Sequence, residues 1–120
     1  MAIWNRRVTL SEDGQYLEID NLTPAPNPPG NQDPAETITT RTAERPATIN
    51  YLPAGPQLTR IEMKNGSDIP SWLTVSKVGA TLRIVDNGAP GTEASYYLVG
   101  ARRDAPEEPI RSRDPRIDNR

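Results

Sequence analysis

The chain offers few residues that could do chemistry, and their spacing limits what they could do. Glu12-Asp13 and Glu107-Glu108 are adjacent acids, the first in a turn sequence and the second in a charged stretch near the C-terminus. A pair of carboxylates acting as acid and base must come from separate elements and face each other across a cleft. Neighbouring acids on one solvated segment titrate normally, and neither pair meets the requirement. A serine nucleophile needs a base beside it. The chain has no His or Cys, and Lys64 and Lys77 are its only lysines. Ser67 lies near Lys64, and Ser76-Lys77 are consecutive. Successive residues on a strand point to opposite faces, which disfavours the second pair. No Gly-rich phosphate loop is present. The expectation is a non-enzymatic protein with no catalytic residue and no cofactor.

A calcium site needs about six to eight oxygen ligands. Asp86, Asn87 and Glu93 share one loop sequence, and Asp20 with Asn21 share another. Asp-Asn-Gly is itself a turn sequence that requires no metal, so no metal ligand is assigned. The interaction candidates are more numerous. Twelve of the 14 basic residues are arginine. Guanidinium forks make bidentate contacts and are enriched at protein interfaces, where lysine is depleted. Arg102, Arg103, Arg111, Arg113 and Arg116 cluster towards the C-terminus. Tyr96 and Tyr97 are consecutive, so a strand would turn one inward and present the other, taken as Tyr97, to a partner. Pro26, Pro28 and Pro29 lie in a proline-dense stretch, with Pro26 and Pro29 at PxxP spacing.

These residues must be positioned by strands. Within 120 residues there is length for one domain. From Ile3 to Leu22 apolar and polar residues alternate about an Asp13-Gly14 turn, predicting a hairpin. The stretch 23–36 contains five prolines and no large apolar residue, predicting an extended surface loop. Six further strands are predicted over Ile38–Arg41, Ala47–Leu52, Gln57–Lys64, Trp72–Val78, Thr81–Asp86 and Ala94–Arg102, separated by Gly, Pro and Asn clusters. A total of about seven or eight short strands at this spacing predicts an all-β immunoglobulin-like sandwich. The domain is expected to span residues 1–103. Residues 104–120 mix prolines with alternating charge and are expected to form an extended charged tail.

Ile69-Pro70-Ser71-Trp72-Leu73-Thr74-Val75, followed by Gly79, Leu82 and Ile84, resembles the P-x-W-L strand of bacterial immunoglobulin-like modules. That resemblance implies a sandwich with Trp72 as its core anchor between two sheets. Asp114-Pro115-Arg116-Ile117-Asp118-Asn119 is similar to the ending of the small bacterial DP-EP family, single-domain proteins of unknown function.

A net charge of −2 disfavours nucleic acid, which demands a basic surface. No segment approaches the ~18 apolar residues of a membrane span. Arg6 and Arg7 are followed by no apolar run, so no signal peptide is seen and synthesis in the cytoplasm is expected. The sequence therefore points to a structural or assembly module. It would be a virion decoration or accessory protein, or a subunit of another large assembly, touching other protein subunits through its proline loop and C-terminal arm. The alternative is an immunoglobulin-like module binding carbohydrate or protein through strand-end loops.

Overall fold

Alternating apolar and polar residues form strands along this chain, because period two sends every second side chain to one face. The computed structural model describes residues 2–23, 37–113 and 115–120. It contains the strands β1 (Ile3–Leu10), β2 (Tyr16–Thr23), β3 (Thr37–Thr40), β4 (Ala47–Pro53) and β5 (Gln57–Met63). β6 (Leu73–Val78), β7 (Thr81–Asp86), β8 (Glu93–Arg102), β9 (Ala105–Ser112) and β10 (Arg116–Asn119) follow. The only helical element among the described residues is one 3-10 turn at Thr42–Glu44. The fold is all-β.

The strands join in the order β3-β10-β8-β9-β2-β1-β4-β7-β6, with β5 also paired to β8. β1–β4, β2–β9 and β3–β10 are parallel, and the other pairs are antiparallel. β8 is the hub. Its residues from Tyr96 to Ala101 pair with β5 along one edge. Along the other edge β9 and β10 run in succession, and the gap between them is closed by side-chain and loop acceptors. There the Leu98 N–H donates to Ser112 Oγ and the Tyr96 N–H to Pro115 O.

The short β2–β9 contact, which joins only Tyr16 to Arg111 and Leu17 to Ser112, links β2-β1-β4-β7-β6 to β8 and its flanking strands. The inward rows meet in one core: Trp4 and Val8 of β1, Ile49 and Tyr51 of β4, Leu82 and Ile84 of β7, Tyr96 and Leu98 of β8. Each fully buried Ile or Leu contributes about 1.5–3 kcal/mol relative to exposure. Across the core the Tyr51 and Tyr96 hydroxyls hydrogen-bond at 2.7 Å. Arg6 shares the inward parity of Trp4 and Val8 and is fully buried, its Nη1 donating to Asn5 O.

Three expectations need correction. Ten strands are present among the described residues, where about seven or eight were expected. Residues 104–120 are not an appended tail, because they supply β9 and β10 to the sheet. A strand at such a position needs only one buried row, and Ile117 and Asn119 provide it. Pro106 and Pro109 are accommodated at the irregular register opposite Ala101 and Arg102, where ladder donors are not required. Finally, Trp72 precedes β6, is only half-buried and packs against the core from its margin. Trp4 is the tryptophan inside it. The stretch 24–36, with Pro26, Pro28 and Pro29, lies outside the described residues.

Candidate interaction surface

The parity of β8 builds the face on which the candidate residues meet. Ala94, Tyr96 and Leu98 point inward, so Ser95, Tyr97 and Val99 point outward. Tyr96 is buried and Tyr97 half-buried, as consecutive strand residues must divide. Val99 is nevertheless 1% exposed. Its cross-strand neighbours are Arg60 on β5 and Arg111 on β9. The guanidinium heads of both converge on Glu62. The Arg111 Nε donates to Glu62 Oε1 at 2.9 Å and the Arg60 Nη2 to Glu62 Oε2 at 2.8 Å. Arg111 first, then Arg60, holds the Glu62 carboxyl below its ordinary value of 4.5.

Tyr16 enters this face from β2, held by the turn that starts the strand. Ser11 Oγ accepts from the N–H groups of Gln15 and Tyr16 and donates to Asp13 Oδ1, while Gly14 takes the left-handed conformation at φ 71°. The Ser11 hydroxyl and then the Gln15 N–H keep the Asp13 carboxyl below its ordinary 3.8. Beside this turn the Arg113 guanidinium lies 4.5 Å from the centre of the Tyr16 ring. The Lys64 Nζ lies 5.3 Å from the centre of the Tyr97 ring. Between the two tyrosines runs an open groove of about 570 Å³, floored by Pro109, Ile110 and Arg111 and flanked by Arg113. Arg60 and Arg111 thus share Glu62, while Arg113 lies beside Glu12 and Asp13 of the β1–β2 turn and Glu18 of β2.

The remaining sequence candidates fall elsewhere. Arg116 lies further along the outer face and pairs with Glu93 across the β8–β10 contact. Arg102 bridges loosely to Asp104 and Glu108 at 3.6 Å, at the β8–β9 hairpin. Arg103 donates from Nε to Gly55 O, tying that hairpin to the β4–β5 turn. The structure therefore brings Tyr97, Arg111 and Arg113 together and sets Arg102 and Arg103 apart. Tyr16, Glu62 and Lys64 complete the face and were missed in the sequence reading, since nothing in their local pattern marks them as neighbours of Arg111.

Several of the residues weighed for chemistry are occupied. Asp86 Oδ1 accepts from the Gly88 N–H and from Asn119 Nδ2, and Glu93 pairs with Arg116. Lys77 donates from Nζ to Leu58 O across the seam between β6 and β5, while Ser76 is exposed on the opposite face. Ser67 Oγ donates to Asn65 Oδ1. The side chains of Asp20 and Asn21 lie outside the described residues. Among the described residues no three His, Cys, Asp or Glu side chains group as metal ligands, and no helix is long and apolar enough to cross a membrane. No protein-family model matches the chain, and no curated protein matches it.

Proposed function

We propose that this protein is a non-enzymatic structural module, a subunit or accessory component of a larger protein assembly such as a virion. It contacts its neighbours through the outer face of β8, β9 and the start of β2. The observation that carries this reading is the groove itself. Two tyrosines and a set of arginines arrive from separate strands onto one open surface, and these residue types dominate protein–protein contact energy. The immunoglobulin-like character implied by the P-x-W-L segment belongs to the same proposal. The expected arm contacts are revised, because the C-terminal residues serve the sheet and only their outward side chains are free to reach a partner.

A carbohydrate-binding role for Tyr97 is less well supported. Sugar stacking needs a bare ring face, whereas Lys64 stands over Tyr97 and Arg113 over Tyr16. Light scattering of the purified protein across a concentration series tests the proposal. A defined oligomer or polymer supports an assembling subunit; a monomer at every concentration overturns self-assembly as its role.

A further inference from the structure

The chain contains two Asn-Gly dipeptides, Asn65-Gly66 and Asn87-Gly88, and the fold treats them differently. A glycine after asparagine leaves its backbone nitrogen free of side-chain crowding, so that nitrogen can reach the asparagine Cγ and close a five-membered ring. Asn65 and Gly66 lie in the turn after β5, and both are exposed together with Ser67. Gly66 takes the left-handed conformation at φ 76°, and a Cβ built on it would meet no described atom within 4 Å. Asn65 Oδ1 accepts from the Ser67 N–H at 3.0 Å and from Ser67 Oγ at 2.6 Å. The Gly66 N–H donates to Met63 O at 3.0 Å, and this exposed turn bond must open before the ring can close. At the second dipeptide Asn87 is exposed, but Gly88 is buried. The Gly88 N–H donates to Oδ1 of the buried Asp86 at 3.0 Å. A Cβ on Gly88 would collide with Asn119 Nδ2, Thr92 Oγ1 and the Trp72 ring, and the Asn87 N–H is bound to Trp72 O. Rotation there would disturb the cluster that Asp86 forms with Asn119.

We propose that Asn65 is a site of intramolecular deamidation in the folded protein, and that the fold protects Asn87 from the same reaction. Hydroxide removes the Gly66 amide proton, and the nitrogen then attacks Asn65 Cγ. The N–Cγ bond forms, the Cγ–Nδ2 bond breaks, and Nδ2 departs as ammonia with a proton from water, which regenerates the hydroxide. Water then opens the succinimide at Cγ to give aspartate, or at the main-chain carbonyl to give isoaspartate. Nothing is oxidised or reduced. Negative charge develops on Oδ1 as Cγ becomes tetrahedral, and the two Ser67 donors already point at that atom. Local opening is cheapest where backbone bonds are exposed and few apolar contacts must break, which describes the turn after β5 and not the buried Gly88. The product carries a new carboxylate next in sequence to Lys64, whose Nζ stands over the Tyr97 ring. The reaction therefore adds negative charge beside the candidate interaction face.

Comparison of the two asparagines provides the test. The whole chain is incubated at mildly alkaline pH, both folded and in concentrated urea, and conversion at each asparagine is followed by peptide mapping with mass spectrometry. The folded protein should convert Asn65 about tenfold faster than Asn87 or more. In urea the two rates should converge, because both dipeptides are then unconstrained. An Asn65 that reacts no faster than Asn87 in the folded protein overturns the proposal, as does one that reacts in urea and stays intact when folded. Ser67→Ala tests the donors on the carbonyl. The position is exposed, and a melting curve checks that the variant remains folded. It should slow conversion of Asn65 about threefold, the worth of one net hydrogen bond, and leave Asn87 unchanged. A rate equal to or above that of the wild type overturns the assistance assigned to the Ser67 hydroxyl.

Discussion

Asp86 is a fully buried carboxylate, and its partners make Asn119 a keystone. Asn119 Nδ2 donates to Asp86 Oδ1 at 2.9 Å and to Thr92 Oγ1 at 3.0 Å. Its Oδ1 accepts from Thr40 Oγ1 at 2.6 Å, and Arg45 Nη1 donates to that same hydroxyl at 3.0 Å. One side chain therefore joins β3, the end of β7 and the β7–β8 loop to the last strand. Asn119→Ala would leave Asp86 and Thr40 short of partners in a buried site. It should cost about 1–3 kcal/mol, read as a lower urea midpoint at unchanged m-value. An unchanged midpoint would show that the cluster contributes nothing. Glu62 makes a smaller, pH-dependent contribution. Its folded carboxyl is held below the ordinary 4.5, so the stabilisation is present above that value and is lost as pH falls through the lowered one. The melting-temperature difference between wild type and Glu62→Gln should therefore be small at neutral pH, since the group is exposed, and vanish in acid. A difference that grew on acidification would contradict the Arg111–Glu62–Arg60 arrangement.

At the scale of elements, β9 and β10 change what a truncation means. As an appended arm, residues 104–120 could be removed with the domain intact. As strands they cover one edge of β8, contact β2 and pair with β3. Ending the chain after Arg103 exposes that edge and the core surface under Ile117, whose loss alone is worth about 2–5 kcal/mol. The truncated protein should lack a cooperative melting transition and should aggregate through its open strand edge. A folded, soluble truncation product would restore the tail reading. Point substitutions at outward residues such as Tyr97 and Arg111, not deletion, are thus the proper probes of contact.

The described strands share one core. The Tyr51–Tyr96 hydrogen bond spans its centre, Lys77 bridges the β6–β5 seam, and Asn119 joins β10 to the end of β7. With the C-terminal strand clasped in this way, its amides should open only with the rest. The Asn119 N–H, bonded to Thr92 O, and the Tyr96 N–H, bonded to Pro115 O, should exchange with the same free energy as the central β4 amides. Much faster exchange at Asn119 would identify β10 as a separately opening unit.

The strands from Ile3 to Arg102 were legible because their burial is local in origin: each alternates in its own sequence, and the turns between them carry Gly, Pro or Asn. The split between Tyr96 and Tyr97 follows from the same parity. β9 and β10 were not legible, because Pro106, Pro109 and the flanking charges describe a solvated segment until β8 offers an edge for them. The interaction face was half legible. Arg111, Arg113 and Tyr97 were visible as residue types, whereas Tyr16, Glu62 and Lys64 join them only through the pairing of β2, β5, β8 and β9. Local alternation alone determined that the chain forms strands. Non-local pairing, which depends on contacts far apart in sequence, decided which strands meet and which charges share a surface.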